Sequence, residues 1–275
     1  MVDSMLICGD NLEVMKRLYE QYGSFIDLIY IDPPFCSNRD YEYKATSSTG
    51  YTDKWEEGLT TFIPWLMERV VLMKNLLKSN GTFFINLDYH AAHYIKVELD
   101  KVFGIKNFRN EIIWHFPSMS RTTTDFPRKH NNIFRYTKSD TFVFNPDAVR
   151  VPYAEATVNR ARYGGAGFDS KNCEGSYLNK GGKLPDTVWN IPHVKGKEHT
   201  KYPTQKPEKL LERIILSSSN ENSVVADFFS GSGTTVIVAE KLDRQWIGVD
   251  QNPQAIEVTT KRLQQISKQK ENIND

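Results

Sequence analysis

Asp32, Pro33, Pro34 and Phe35 form a polar and aromatic turn directly after an apolar segment, residues 27–31. That segment is rich in β-branched and apolar residues, which is typical of a strand buried on both faces. Two prolines fix φ and remove two backbone donors, so the chain leaves the sheet in a rigid turn. The Asp32 carboxylate and nearby carbonyls then present acceptors beside one aromatic ring. The pattern favours a flat ligand that carries an amino group, and an ordinary proline turn is the alternative.

A second segment, residues 224–235, runs from an apolar strand through a turn of small residues into a helical pattern. Gly231 and Gly233 in this turn would let a ligand approach the backbone closely, and the helix N-terminus offers free N–H groups. The next predicted strand ends at Asp250, where an acid in a doubly wound sheet commonly binds the two hydroxyls of a ribose. This order of elements, a strand, Gly-x-Gly, a helix, a second strand and an acid, predicts a site for a nucleoside-containing cofactor.

Together the two segments resemble the DNA amino-methyltransferases, which methylate adenine N6 or cytosine N4 with S-adenosylmethionine (AdoMet). The tetrapeptide at residues 32–35 matches the family's catalytic motif, (D/N/S)PP(Y/F/W), and residues 227–233 match its AdoMet-binding motif with the Phe-x-Gly-x-Gly core. The catalytic motif comes first and a long insert follows it, as in the permuted β group of the family. The resemblance implies a site-specific DNA methyltransferase that acts on adenine N6. Cytosine N4 is the alternative, and Asp in place of Ser at position 32 favours adenine.

The resemblance also implies the roles of individual residues. Asp32 and the Pro33 carbonyl would accept hydrogen bonds from the target amine, and Phe35 would stack on a base that has left the duplex; Pro34 completes the catalytic motif. The implied cofactor-binding residues are Asp10, Thr204, Lys206, Pro207, Asp227, Phe228, Phe229, Ser230, Gly231, Ser232, Gly233, Thr234 and Asp250. Two of these positions have simpler alternatives, because Asp10 fits a helix N-cap and Pro207 fits a helix start.

Two polar stretches are candidates for DNA contact. The first is the loop at residues 118–130, where Arg121, Arg128 and Lys129 stand among hydroxyl side chains without apolar periodicity. Such groups suit phosphate contact, and a solvated loop is the alternative. The second is the glycine-punctuated stretch at residues 150–200, which has too few apolar runs to build a core of its own. We predict that it is a target-recognition insert, with Arg160 and Arg162 as base-reading candidates.

The elements that must position these residues alternate between strand and helix patterns. The family resemblance implies an α/β fold with a doubly wound, mostly parallel sheet of seven strands, one of which is antiparallel. A hairpin of residues 132–136 with 141–145 is expected to supply the antiparallel strand, and Asn80-Gly81 is expected to end a helix before a strand at 82–87. The predicted division of the chain is a catalytic half (1–149), the insert (150–200), an AdoMet-binding half (201–268) and a polar tail (269–275).

Bulk properties limit the function classes. In 275 residues, hydrophobic content is 39% and charged content 25%, as in soluble globular proteins, and no apolar run is long enough for a transmembrane helix. The N-terminus lacks a signal-peptide pattern, and the three cysteines fit neither a metal site nor a disulfide framework, so we expect a cytoplasmic protein without a metal.

Double-stranded DNA is the expected partner, RNA stays open as a substrate, and a homodimer or a cognate restriction endonuclease would be compatible with the family. Two other classes remain as alternatives: a nicotinamide-dependent oxidoreductase and a non-catalytic DNA-binding module. The single Gly-x-Gly without a third glycine and the Asp-Pro-Pro-Phe turn argue against the oxidoreductase. The full set of acceptors at Asp32 and the intact glycine turn argue against the non-catalytic module.

Overall fold

The protein alternates strands and helices along the chain, in a computed structural model that describes residues 2–43, 48–119, 122–163 and 178–274. The strands are β1 (Met5–Cys8), β2 (Ile26–Ile31), β3 (Asp40–Tyr43), β4 (Ser48–Thr52), β5 (Leu77–Leu87), β6 (Phe108–His115), β7 (His130–Thr137), β8 (Val188–Asn190), β9 (Val224–Asp227) and β10 (Gln245–Asp250). The helices are α1 (Asn11–Tyr22), α2 (Leu59–Leu76), α3 (Ala92–Phe103), α4 (Glu155–Tyr163), α5 (Glu208–Ser218), α6 (Thr234–Lys241) and α7 (Pro253–Asn274). None of the helices in the described ranges is long and apolar enough to cross a membrane.

The main sheet of the described chain has eight strands in the order β1-β10-β9-β2-β5-β7-β6-β8. Every neighbouring pair is parallel except the two pairs that β7 makes with β5 and β6. The predicted α/β sheet with one antiparallel strand is therefore confirmed. The eighth strand was not expected, and it comes from the insert, where Val188–Asn190 pairs in parallel with β6.

The direction of winding reverses between β9 and β2, which pair through Leu28↔Val225 and Ile29↔Ala226. From β2 the chain crosses by α2 to β5 on one side, and from β9 it crosses by α6 to β10 on the other. In open α/β sheets a crevice opens at the carboxyl ends of the strands at such a switch point. The two motifs, which follow β2 and β9, are thus brought to one crevice.

Both faces of the sheet are buried, as the continuous apolar composition of its strands requires. β2 alternates between them: Ile29 and Ile31 pack into one apolar cluster with α1, α2 and α3, whereas Leu28 and Tyr30 pack into the other with α5 and α6. Helix layers on both sides hold the strand rigidly, so the position of the residue that follows Ile31 is well defined.

Several local predictions were wrong. Residues 141–145 do not form a strand, because β7 already has β5 and β6 as its two neighbours. Asn80-Gly81 lies inside β5, which starts at Leu77, rather than between a helix and a strand. The insert is less irregular than expected, since α4 and β8 belong to it, and α7 continues through residues 269–274 of the predicted polar tail.

Candidate active site

A cavity of about 520 Å³ lies at the crevice, and the segments after β1, β2, β9 and β10 contribute to its wall. Eleven of the thirteen predicted cofactor residues line it, including Asp10, Lys206, Gly231 and Asp250. Pro207 and Gly233 do not. Asp32 and Pro34 of the predicted catalytic turn line the same cavity, whereas Pro33 and Phe35 lie beside it. The fold therefore joins two motifs that are far apart in the chain.

The Asp32 carboxylate is oriented by two side chains from other elements. Its Oδ1 accepts a hydrogen bond of 2.7 Å from Nδ2 of Asn86, near the end of β5. Its Oδ2 forms an ion pair with Nζ of Lys206, which also donates to the carbonyl of Thr204 at 3.1 Å. The Asp32 side chain keeps 16% of its surface exposed. Since a carboxylate can accept about four hydrogen bonds, Asp32 retains acceptor capacity toward the cavity.

The turn after β9 brings backbone close to the cavity. Gly231 has a φ of +49°, a conformation that favours glycine, and its N–H donates to Oδ2 of Asp250 at 2.8 Å. A Cβ at Gly231 would lie 3.4 Å from the ring of Tyr202, another residue of the cavity wall. Gly233 serves packing instead, because a Cβ there would lie 2.4 Å from Thr259. The hydroxyl of Ser230 is buried without a partner among the described residues, so a bound ligand could satisfy it.

Four carboxyl groups of the described residues border the cavity, Asp10, Asp32, Asp227 and Asp250, and burial raises the pKa of the last two. The pKa of Asp227 rises to about 7 because the residue is fully buried, although hydrogen bonds from Thr235 and the Phe229 N–H oppose this rise. Burial also raises the pKa of Asp250, against hydrogen bonds from Asn252 and Gly231. The carboxyl oxygens of Asp32, Asp227 and Asp250 favour a ligand that carries N–H or O–H donors, and those carboxyls that are ionised also favour positive charge. AdoMet, with its sulfonium, amino group and ribose, fits this donor and charge pattern.

Comparison with known proteins agrees with this geometry. Residues 26–261 match the family model of the N6/N4 methyltransferases, described as DNA methylase. The chain belongs to this DNA methylase family. It is 34% identical to the type II methyltransferase M.HpaI of Haemophilus parainfluenzae over 95% of this chain and 74% of that protein. It is 32% identical to the DNA adenine methyltransferase YhdJ of Escherichia coli over 94% of this chain and 82% of that protein.

The fold is also similar to that of solved methyltransferase structures. The crystal structure of the M1.HpyAVI–SAM complex superposes with a TM-score of 0.63 at 23% identity, over 94% of this chain and 98% of that one. The α/β methyltransferase fold predicted for the chain is therefore confirmed. AdoMet is the methyl donor of this family, and the cavity described above is our predicted site for it.

Asp10 combines the two roles that its sequence position allowed. Its Oδ1 accepts hydrogen bonds from the N–H groups of Leu12 and Glu13 at 2.9 and 3.3 Å, which confirms the predicted N-cap of α1. The same residue lines the cavity, and its Oδ2 lies 3.4 Å from Nη2 of Arg69. Capping therefore holds the carboxylate at the cavity wall, where contact with the cofactor remains our prediction.

Several residues of the wall were not predicted from the sequence. The cavity is also bordered by Tyr30, Trp55, Trp65, Arg69 and Tyr202. The Tyr30 hydroxyl is buried without a partner among the described residues, and its pKa is raised by burial and by the charge of Asp32. No local motif marks these residues, since they come from a strand, a helix and loops that only the tertiary fold brings together.

The predicted DNA-binding residues are only partly described. Arg128 is exposed near the carboxyl end of β5, where its guanidinium lies 4.3 Å from the ring centroid of Tyr89 and donates to the Tyr89 hydroxyl at 3.1 Å. Lys129 donates to the carbonyl of Ser118. Arg160 is exposed on α4. Arg121 and the side chain of Arg162 lie outside the described residues.

Proposed function

We propose that this DNA methylase transfers a methyl group from AdoMet to the N6 amine of adenine in double-stranded DNA. The observation that carries the proposal is the presence of Asp32 and the glycine turn of residues 230–234 in one cavity. An acceptor for an amine and a site for a nucleoside-containing methyl donor therefore adjoin each other, which is what an in-line transfer between two bound reactants needs.

Asp32 is the proposed catalytic acceptor. The exocyclic amine of adenine is a poor nucleophile because its lone pair is delocalised into the ring. Hydrogen bonds from this amine to Asp32 and to the Pro33 carbonyl would direct the lone pair toward the cavity and offset the positive charge that develops on nitrogen. The methyl group would come from the sulfonium of AdoMet, whose S–CH3 bond breaks as the N–C bond forms, and the methylated amine would release one proton to solvent. Asn86 and Lys206 keep the carboxylate in place, and the amine takes acceptor positions that they leave.

Phe35 is the proposed stacking partner of the target base. It is partly buried against the core and its ring centroid lies 5.6 Å from Nζ of Lys206, so the ring is close to the Asp32 ion pair. The amine of a paired adenine is engaged in the duplex, and the base must therefore leave the stack to reach Asp32. An aromatic face next to the acceptor would stabilise the extruded base.

Adenine rather than cytosine is proposed because Asp opens the tetrapeptide and because the relative YhdJ is named a DNA adenine methyltransferase. Methylation of cytosine N4 is the competing function, since the family model covers both amines. The acceptor requirement is the same for the two bases, so the reaction product has to decide between them.

The deciding experiment is incubation of the purified protein with DNA and isotopically labelled AdoMet, followed by digestion to nucleosides and mass analysis. We expect labelled N6-methyladenine; labelled N4-methylcytosine would establish the alternative, and no labelled nucleoside would refute the proposal.

Asp32→Ala is the matched control. It should abolish incorporation while calorimetry shows AdoMet binding retained, because Asp32 is assigned to the base. Parallel loss of both would reassign Asp32 to the cofactor.

DNA contact is assigned to two surfaces. The loop with Arg128 and Lys129 lies near the catalytic end of β5, which suits phosphate contacts. Residues 150–200, with Arg160 and Arg162, are the proposed target-recognition insert between the catalytic half (1–149) and the AdoMet-binding half (201–268). A cognate restriction endonuclease is a proposed partner because M.HpaI is named a type II methyltransferase. A homodimer is the assembly that we would test first, by light scattering.

A further inference from the structure

Asp53 is an acid that the proposed chemistry does not use, and it is almost completely buried, with 1% of its surface exposed. It follows β4 and lies beside the catalytic turn. Its carboxylate accepts five hydrogen bonds from four residues within 3.1 Å. The isolated burial of a charged group is costly, so a carboxylate is stable there only because donors surround it.

Three of these donors are consecutive backbone N–H groups. Phe35 and Ser37 donate to Oδ2 at 3.1 and 2.8 Å, and Cys36 donates to Oδ1 at 2.9 Å. Successive N–H groups converge on one anion when the residue between them adopts a left-handed conformation, which makes an anion-binding concavity. Cys36 has a φ of +60°, an uncommon conformation for a residue with a side chain. The Asp53 carboxylate occupies this concavity and compensates the backbone strain.

The remaining two donors are side chains, one from the catalytic turn and one from the cavity wall. The Ser37 hydroxyl donates to Oδ2 at 2.6 Å, and Nε1 of the Trp55 indole donates to Oδ1 at 3.1 Å. Trp55 packs against Trp65 with ring centroids 5.0 Å apart, and Trp65 lies 5.8 Å from the ring of Phe229 in the glycine turn. All three rings border the cofactor cavity. One carboxylate therefore ties the catalytic turn to the wall of the cofactor site.

We propose that Asp53 is a positioning residue for methyl transfer, which holds the backbone of residues 35–37 so that Phe35 meets the extruded base. This inference rests on the proposed function. The prolines at 33 and 34 restrict the turn on its strand side, but nothing covalent restricts it after Phe35. The hydrogen bonds of Asp53 supply that second restraint. Asp53 contacts neither the base nor AdoMet in this assignment, and it acts through the position of the Phe35 ring.

The test is Asp53→Asn, which conserves volume but replaces one acceptor oxygen with a donor. The new amide nitrogen would face at least two donor groups, because each oxygen of Asp53 accepts at least two hydrogen bonds. We expect the single-turnover rate on saturating DNA to fall roughly 10- to 100-fold, as for a small misplacement of a reacting group. The AdoMet dissociation constant should stay within about threefold, since Asp53 does not border the cavity.

A spectroscopic measurement separates positioning from loss of fold. With 2-aminopurine at the target position, the wild-type complex should show quenched fluorescence because the extruded base stacks on Phe35. Asp53→Asn should show bright fluorescence because the base is extruded but unstacked.

Ser37→Ala is the matched control in the same turn. It loses the two hydroxyl contacts with Asp53 and Tyr41 and keeps the backbone contacts of Asp53, so its rate and fluorescence should remain near the wild type. If Asp53→Asn fails to fold, Asp53→Glu takes its place, because it keeps the carboxylate but displaces it by one methylene. A rate loss of tenfold or more with AdoMet affinity retained would then support the clamp, and a wild-type rate would overturn it.

Two outcomes would overturn the inference. A folded Asp53→Asn variant with the wild-type rate would show that the turn needs no clamp. Equal rate loss in Trp55→Phe, which removes the indole N–H and part of a ring that borders the cavity but leaves the three backbone contacts of Asp53, would place the effect in the cavity wall instead. Failure of the proposed function looks different, because then the wild-type protein itself would produce no methylated nucleoside.

Discussion

Asn86→Ala tests how much of the catalytic power depends on the orientation of Asp32. Asn86 is fully buried near the end of β5, and its side-chain amide donates to Oδ1 of Asp32 at 2.7 Å. A hydrogen bond to a charged group contributes about 1.5–3 kcal/mol. If the transition state depends fully on this contact, the loss corresponds to a decrease in kcat of about 10- to 150-fold. Asn86 does not border the cofactor cavity, so AdoMet affinity should be unchanged.

The assay is single-turnover methylation with both substrates saturating, together with calorimetric titration of AdoMet. Thr82→Ala is the matched control, because Thr82 is another fully buried polar residue of β5 whose hydroxyl has no partner among the described residues. It measures what truncation of a buried polar side chain in this strand costs in stability without touching Asp32. A kcat within twofold of the wild type in folded Asn86→Ala would refute the reasoning, since Lys206 alone would then suffice to hold the carboxylate.

Two further predictions concern charge. The pKa of Asp227 in the folded protein is about 7, well above the ordinary carboxyl value. At pH values between these two, the folded state binds a proton that the unfolded state does not. The free energy of unfolding should therefore fall as pH rises toward 7. Asp227→Asn should remove that fall, which denaturant unfolding at several pH values would detect; an unchanged pH profile would contradict the assignment. Arg128→Ala should lower the slope of log affinity against log salt by about one on every DNA sequence, because a phosphate contact carries no base information. Titrations at two or more salt concentrations would show this, and a loss confined to one sequence would instead identify Arg128 as a base-reading residue.

The two motifs were predictable because each is continuous in sequence and follows an apolar strand. A buried parallel strand leaves its carboxyl end at the ligand-binding edge, so strand pattern and turn chemistry together located the crevice. Asn86 and Asp53 were not predictable in the same way. Each reaches its partner from a separate element, and no local pattern distinguishes it from other polar residues. Such contacts depend on strand order and loop path, which sequence periodicity does not specify.

The failed hairpin has a physical cause in the side chains. Residues 141–145 are rich in aromatic and β-branched residues, as a strand often is, but Phe142 and Phe144 stack on arginine side chains instead. The guanidinium of Arg135 lies 5.2 and 4.8 Å from the centroids of these two rings, and that of Arg109 lies 4.5 Å from Phe142. Aromatic residues that stack on buried or half-buried arginines and aromatic residues of a strand can produce the same sequence pattern.

Donor counting separates the roles of three buried or half-buried acids near the crevice. Asp53 accepts five hydrogen bonds, which saturates a carboxylate and leaves it nothing to offer a ligand. Asp227 accepts from Thr235 and Phe229, but full burial favours its protonated form near neutral pH. Asp32 accepts from Asn86 and pairs with Lys206 among the described residues and stays partly exposed, so about two of its acceptor positions remain for a ligand. An amine that enters the crevice therefore meets an available acceptor at Asp32, which is the position that the proline turn places at the switch point between β2 and β9.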